Sequence, residues 1–429
     1  MEQPPRPEWR SYRSRHHCLQ EGLNGEQGGA YTSEVKAVNI RAAWWAIVVV
    51  FLVHGLLAAT WVSRIPAIQT ALRLNNAELG LTLLSSAVGA VCAIPFVGRF
   101  VTLYGSKRVT GVSSIAFCFG LVLPGLAVNA ASLAASLFAF GATAAAMDVS
   151  MNAQGVEIEK RLGRPTMSRF HGMFSLGGMA GAGIGGIVAA HYTSPLIHFG
   201  VSALVYLLAI IVVAPLLLPT HAGIQANRDR VQLRRIPRAL LALSAIGFCI
   251  LLSEGAMADW TAVYLRQVLN AGSGTAAAGY SVFSAAMAAF RFLGDLITSR
   301  LGPVRTIRTG GLVATCGMMW TLSARSAAWA MPGFAAAGAG FSVIIPLVFG
   351  GGGRVQSISP AAGIATVTGI GYIGFIVGPP AIGFASQVFT LRYALGLVVI
   401  CCIIASLLSG FTTSRLPAST SIRKIVKTS

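Results

Sequence analysis

Apolar runs of roughly twenty residues recur from Ala42 onward, and they constrain the fold more than any other feature of the chain. An α-helix of that length crosses the ~30 Å hydrocarbon core of a bilayer. Only 10% of the 429 residues are charged, against about 25% in ordinary soluble domains. The sequence therefore predicts a polytopic, all-α membrane protein. Twelve transmembrane helices are predicted, the ninth being the weakest: 42–62, 79–98, 109–128, 132–156, 170–190, 195–218, 240–264, 276–297, 309–323, 328–350, 364–387 and 393–411.

Charge and motif content argue against several other classes of protein. The formal net charge is +19, but beyond the first 41 residues the basic side chains lie in short clusters between apolar runs. No basic face with interleaved aromatics is present, so we expect no nucleic-acid partner. The seven cysteines are scattered without a CxxC, which indicates neither a metal site nor a disulfide framework. Without a phosphate-binding loop or an HExxH motif, we expect no cofactor, no enzymatic activity and no direct use of ATP.

The distribution of Lys and Arg predicts the orientation, because cytoplasmic loops carry the excess of both. With the N-terminus in the cytoplasm, most of the 32 basic residues fall in inside segments. The outside segments hold only Arg64, Arg73, Arg266, Arg325 and Arg392. We therefore expect both termini to be cytoplasmic. We also expect the chain to be a monomer.

A weak internal repeat relates the two halves of the chain. One constant shift places Gly105 on Gly302, Gly177 on Gly374 and Gly181 on Gly378. Two six-helix bundles in parallel orientation follow, 42–220 and 239–414, joined by a polar linker, 221–238. The segment 1–41 is expected to be a disordered cytoplasmic tail, and 415–429 a basic one. A parallel repeat of six spans is typical of secondary transporters, whose site lies between the halves near the midplane.

Several motifs resemble those of the major facilitator superfamily (MFS). GRFVTLYGSKR, between spans two and three, is similar to a superfamily loop that has an Asp-Arg pair where this chain has Thr102 and Leu103. The counterpart in the second half, RFLGDLITSRLGPVR, keeps its charges. Asp295 follows Arg291 by one helical turn, so we expect these two to form an ion pair. The resemblance implies these gating candidates: Gly98, Gly105, Lys107, Arg108, Arg291, Asp295 and Arg300.

Two glycine-rich segments extend the resemblance. GGMAGAGIGG in span five is similar to a superfamily motif, with Ala182 in place of proline, and GFIVGPPAIG in span eleven repeats it. Small residues let helices approach closely in lipid, so close packing is expected at Gly177, Gly181, Gly374, Gly378 and Pro379. More narrowly, MDVSMNAQG, SRFHGMFSLG and EGAMADWTAVYLR resemble a little-characterised bacterial inner-membrane branch, distantly similar to fucose-type sugar permeases.

Acidic residues inside the spans are candidates for function, because each costs about 2.5–3.5 kcal/mol without a partner or a wet cavity. Glu254 occupies the place in span seven that His54 has in span one. Since those two helices face each other in this architecture, we predict a proton-coupling site with Glu254 as the acid and His54 as its partner. The alternative is that each side chain is satisfied within its own bundle. Asp259 is expected to cap an unwound end of span seven or to line the outer vestibule.

The segment AAAMDVSMNAQGVEIEK places polar groups in an otherwise apolar span. Gly141, Ala145, Asp148 and Asn152 follow helical spacing and share one face. His171 lies at the same predicted level on span five. We expect Asp148 to be a hydrogen-bonded gate or cavity-wall group, with proton or solute binding as the alternative, and we count Asn152 and His171 among the cavity candidates.

Together these patterns predict a secondary active transporter that moves a small solute by alternating access. Protons are the expected coupling ion, and the bilayer is the remaining partner. A proton-driven efflux antiporter of the same fold is one alternative, which the glycine motif of span five favours. A non-transporting membrane sensor or scaffold is another, although the linker 221–238 leaves little room for an output domain.

Overall fold

The computed structural model describes residues 39–163, 166–219, 237–356 and 358–412. The linker and the C-terminal tail of the sequence prediction lie almost wholly outside these residues, as does most of the N-terminal tail. The described chain forms twelve long helices: α1 (Ile40–Val62), α2 (Asn76–Tyr104), α3 (Ser106–Val122), α4 (Ala130–Leu162), α5 (Met167–Ala190), α6 (Pro195–Val213), α7 (Arg238–Gln267), α8 (Ser273–Leu301), α9 (Pro303–Ser323), α10 (Ala327–Phe341, continuing as Ile344–Gly352), α11 (Pro360–Val388) and α12 (Gly396–Leu408). The all-α prediction is confirmed. Short helices follow α1 (Ile65–Ala71) and precede α12 (Leu391–Ala394).

Eleven of these helices, counted with their short extensions, are long and apolar enough to cross a membrane, and α9 falls short of that criterion. The first turns of α9 carry Arg305 and Arg308, which lower its hydropathy. The helix nevertheless packs against α10 and α12 in the same bundle. The ninth span, the weakest in the sequence, is thus a helix whose apolar part is short.

Several helices extend beyond the apolar runs from which they were predicted, because polar caps start them earlier. Asn75 accepts a hydrogen bond from the backbone N–H of Glu78 (3.0 Å), and the Glu78 carboxylate accepts one from the Asn75 N–H (2.9 Å). This capping box satisfies backbone donors at the first turn of α2. Asn129 and Ser132 form the same arrangement at the start of α4. An apolar run therefore marks the membrane-embedded part of each helix and not its whole length.

The predicted repeat is visible at the junctions between helices. α2 meets α3 at Gly105, and α8 meets α9 at Gly302, with φ angles of 79° and 74°. Residues with a Cβ rarely adopt such angles, whereas glycine does so at little cost. Repeat-related glycines thus make equivalent turns in the first half (α1–α6) and the second half (α7–α12).

The same symmetry relates close helix contacts in the two halves. α5 packs on α1 in the first half, as α11 packs on α7 in the second. A Cβ added at Gly177 would lie 2.2 Å from the carbonyl oxygen of Leu52, and one at Gly374 would lie 2.4 Å from that of Phe248. Gly181 is nearly as tight (2.8 Å), while Gly378 has ordinary van der Waals room (3.4 Å). Backbones therefore approach closely where the glycine motifs lie.

The two halves meet along two pairs of helices, α5 with α8 and α2 with α11. Gly186 and Gly274 face each other in the first pair, where a Cβ on either would lie 2.9 Å from the other's carbonyl oxygen. In the second pair, a Cβ at Gly80 would lie 2.6 Å from the carbonyl oxygen of Pro379. α1, α4 and α7 lie between these two seams and face the space that the halves enclose.

Candidate functional site

A cavity of about 360 Å³ lies between the two halves. The first half contributes α1, α2 and α4 to its wall, and the second half contributes α7 and α11. Its ionisable lining residues are His54, Asp148, Asp259 and Tyr372; aromatic walls come from Trp61, Phe140 and Phe375. The described residues that line it include no Lys and no Arg. We call this space the central cavity.

The polar face predicted for α4 faces the central cavity. Gly141, Ala145 and Asp148 all line it. Gly141 also permits close packing, because a Cβ there would lie 1.9 Å from the carbonyl oxygen of Ser86 on α2. The amide of Asn152 donates to the Asp148 carboxylate (3.1 Å) and to the Asp148 carbonyl (2.8 Å), one turn away on the same helix. Asn152 therefore orients the carboxylate of Asp148.

His54 is held within the first half. Its Nε2 lies 3.3 Å from the carbonyl oxygen of Ala144 on α4, one turn before Asp148. Because a carbonyl can only accept, Nε2 carries the hydrogen of this bond. The imidazole also lies against Phe117 and Phe174, with ring centroids 5.3 and 5.4 Å away. His54 and Asp148 thus line the central cavity side by side.

A second polar cluster links α5, α7 and α8. Nη2 of Arg291 lies 3.7 Å from Oε1 of Glu254, and Nη1 donates to the hydroxyl of Ser175 (2.7 Å). Both charged side chains are largely buried, with exposed fractions of 11% and 17%. Ser175 belongs to the first half, so this cluster crosses the interface between the halves. We call these three residues the Arg291 cluster.

Two partner assignments from the sequence are wrong. Among the described residues, the carboxylate paired with Arg291 is that of Glu254, not Asp295. Helix side chains lean toward the N-terminus, so Arg291 reaches back along α8, away from Asp295, which follows one turn later and is exposed. Glu254 and His54 do not pair either, since Glu254 turns toward α8 while His54 turns toward α4. The contact of His54 Nε2 with α4 agrees with the alternative, in which His54 bonds within its own bundle.

The helix end predicted at Asp259 is also wrong. α7 continues unbroken to Gln267, about two turns beyond Asp259. Asp259 instead lines the central cavity together with Ala258 and Gly255. The vestibule interpretation is nearer to the observed position, because the carboxylate lies in the wall between the halves.

His171 lies beside a second cavity of about 290 Å³ between α5, α8 and α10. Arg291 and Asp295 line the same space. The structure therefore separates the sequence candidates into two groups. His54, Asp148 and Asp259 line the central cavity, whereas His171, Arg291 and Asp295 line the second, with Glu254 as the partner of Arg291.

The remaining gating candidates lie away from both cavities. Lys107 donates to the carbonyl oxygen of Pro215 (2.6 Å), which ties the start of α3 to the end of α6. Arg108 and Arg300 are exposed, and Gly98 is exposed with open space around its Cα. These positions keep their gating role as a prediction only.

Sequence reasoning missed two features of the site. Tyr372 was not singled out, although it interrupts a run of glycine and aliphatic residues on α11 that otherwise resembles a packing surface. Arg291 was assigned an ion pair with Asp295 at the cytoplasmic end of span eight, although a basic residue preceded by nearly two turns of apolar residues lies well inside a span. Both signals are present in the sequence, but neither shows which residues Tyr372 and Arg291 contact.

Amide side chains join the halves at the end of the molecule where α2 begins and α7 and α11 finish. Gln267 donates to Gln69 (3.1 Å) and to Asn76 (3.2 Å), and Gln387 donates to Asn75 (3.2 Å). We call these five residues the amide latch. None of them is charged, so the latch rests on hydrogen bonds of modest net strength, about 1 kcal/mol each. Such a contact can close one end of the molecule and still open.

Comparison with known proteins adds the evolutionary context. Residues 46–351 match the family described as Major Facilitator Superfamily. An uncharacterised MFS-type transporter of Yersinia pestis is 34% identical over 361 residues, covering 82% of this chain and 90% of the relative. The nucleoside transporter NupG superposes with a TM-score of 0.70 at 12% identity, covering 87% of this chain and 100% of that one. The fucose:proton symporter FucP in its outward conformation superposes with a TM-score of 0.61 at 16% identity, covering 86% of this chain and 98% of that one. The likeness to fucose-type permeases is confirmed at the level of the fold.

Proposed function

This chain belongs to the major facilitator superfamily, and from that premise we propose that it moves a small polar solute across the bacterial inner membrane by proton-coupled alternating access. The observation that carries the proposal is the central cavity, which both halves line and into which carboxylates from both halves face. Its volume lies in the range of small-molecule sites. A site shared by two rigid bundles changes its access when one bundle rocks against the other.

The contacts between the halves support such a movement. The amide latch and the close approach of Gly80 to Pro379 lie at the same end of the α2–α11 seam. Hydrogen bonds between uncharged amides exchange with water at low net cost. Opening this end is therefore expected to leave each bundle intact, because the close backbone contacts of α5 on α1 and of α11 on α7 lie within each half.

The Arg291 cluster supplies a route for coupling to protons. Protonation of Glu254 removes the negative charge that faces Arg291, which weakens the attraction between these two groups. Arg291 is then free to strengthen its contact with Ser175 of the other half or to turn toward the second cavity. In this proposal the charge state of Glu254 decides how strongly α7 and α8 are tied to α5. Asp148 beside His54 is the second candidate for the same role.

Transport through the central cavity is tested with a variant that fills it. Ala145 lines the cavity on α4, whereas Ala135 lies on an exposed part of the same helix. In proteoliposomes, Ala145→Trp is expected to lower solute counterflow at least tenfold, and Ala135→Trp to leave it within a factor of two. Equal counterflow in the two variants would place the transport path elsewhere or reject transport. The sign of the pH gradient that drives accumulation separates uptake from efflux antiport.

Orientation is a separate proposal with its own test. Because most basic residues fall on one side of the predicted spans, reporters fused after Arg235 and at the C-terminus are expected to score cytoplasmic. A phosphatase and a fluorescent-protein reporter at each point give opposite signals and control for expression. A periplasmic score at either point would contradict the twelve-span topology.

A further inference from the structure

The charge on the walls of the central cavity restricts which solute it can hold. Asp148 approaches from α4 of the first half, and Asp259 from α7 of the second. No Lys or Arg occurs among the described residues that line this cavity. Arg291 is paired with Glu254 beside the second cavity. Building on the proposed function, we propose that the transported solute is a small amine that is protonated at neutral pH.

His54 does not offset these carboxylates. Its Nε2 donates to the carbonyl of Ala144, and its Nδ1 is buried without a hydrogen-bond partner among the described residues. A protonated ring would need an acceptor at each nitrogen to satisfy both donors. The neutral ring, with its hydrogen on Nε2, fits this environment better. With its carboxylates ionised, the cavity carries a negative potential, which repels anionic solutes and attracts cations.

The aromatic walls favour the same chemistry. Trp61, Phe140 and Phe375 line the same cavity as the two carboxylates. The negative face of an aromatic ring attracts a cation that lies over it, and the attraction increases when the cation is desolvated. An organic ammonium can place its charge near Asp148 or Asp259 and its carbon frame against these rings. Carboxylates with aromatic faces and no cation form a recognition site for amines.

A neutral polyol of the same size would leave the charges uncompensated. Ionised carboxylates only accept hydrogen bonds, and hydroxyl groups can donate to them, but a polyol brings no positive charge. Charge-assisted hydrogen bonds are roughly twice as strong as neutral ones. An ammonium group brings three donors and the charge together. The expected preference is therefore amine over alcohol, and alcohol over carboxylate.

Matched triplets of small solutes test this order. Each triplet keeps one carbon frame and carries an amine, an alcohol or a carboxylate at the same position, for example 2-aminocyclohexanol, cyclohexane-1,2-diol and 2-hydroxycyclohexanecarboxylate. Several frames of increasing size cover the cavity volume. Thermal shift of the purified protein measures binding, and counterflow in proteoliposomes measures transport. We expect an amine of at least one frame to stabilise the protein and exchange, with its alcohol mate at least tenfold weaker.

Variants tie the response to the cavity. Asp148→Asn and Asp259→Asn are each expected to weaken amine binding about tenfold or more. Glu157→Gln, which removes a carboxylate that pairs with Arg161 on α4 and lines neither cavity, is expected to leave it within a factor of two. An alcohol or carboxylate that binds as well as its amine mate would overturn the inference, and so would the absence of any amine response across the frames. If only alcohols show counterflow, the proposal of an amine solute is rejected and the proposal of transport is retained. Binding of solutes without counterflow of any would count against the proposed function itself.

Discussion

Gly374→Ala is expected to lower the thermal stability of the purified protein sharply and to reduce its yield in the membrane. The added Cβ would lie 2.4 Å from the carbonyl oxygen of Phe248 and 2.9 Å from the backbone nitrogen of Leu252. Both are backbone atoms of α7, so neither can move aside as a flexible side chain would. Overpacking of this kind costs typically 1–3 kcal/mol, although alanine itself favours a helix over glycine by about 1 kcal/mol. Fluorescence-detected size exclusion after heating measures the loss.

Gly369→Ala is the matched control on the same helix. A Cβ at this position meets nothing within 4 Å, so the substitution gains helix propensity without a clash. Its melting temperature is expected to equal or exceed that of the unmodified protein. Gly177→Ala should reproduce the damage in the first half, because its Cβ would lie 2.2 Å from the carbonyl oxygen of Leu52. Normal stability in both clashing variants would show that the α5 and α11 motifs are not required for packing.

Much of the fold could be predicted from the sequence, for physical reasons that particular residues illustrate. The length of an apolar run fixes a membrane-crossing helix, because hydrocarbon offers the backbone no hydrogen-bond partner outside the helix itself. Gly177 and Gly374 could be matched through the repeat, and the structure places both at backbone contacts. The least certain span, α9, is also the helix that is long enough but not apolar enough to count as a membrane-crossing helix.

The partners of the buried charges could not be predicted in the same way. Helical spacing places Arg291 one turn from Asp295, but spacing does not say how far a long side chain extends or in which direction. Repeat symmetry relates His54 to Glu254, yet the two halves differ in what surrounds these positions: a carbonyl of α4 in one and an arginine of α8 in the other. A repeat conserves backbone packing more strictly than side-chain chemistry, so the site departs from the symmetry that the fold obeys.

Glu254→Gln is expected to abolish solute accumulation driven by a pH gradient, while counterflow exchange survives. The amide resembles the protonated acid permanently, so the proton can neither be taken up on one side nor released on the other. Counterflow needs no net proton movement and depends only on the alternation of access. Proteoliposomes with an imposed pH gradient measure accumulation, and preloaded proteoliposomes at equal pH measure counterflow.

The same substitution leaves Arg291 buried without its counter-ion, and removing one partner of a buried ion pair typically costs about 3–5 kcal/mol. The double variant Glu254→Gln, Arg291→Gln removes both charges and is expected to recover most of the lost stability without recovering accumulation. That separates a folding defect from a coupling defect. Glu157→Gln, which removes a carboxylate that pairs with Arg161 on α4 and lines neither cavity, serves as the control that should retain both activities. If the stable double variant still accumulates solute with the pH dependence of the unmodified protein, Glu254 is not the coupling acid. The role would then pass to Asp148, whose Asn variant should lose accumulation in its place, or transport would not be driven by protons.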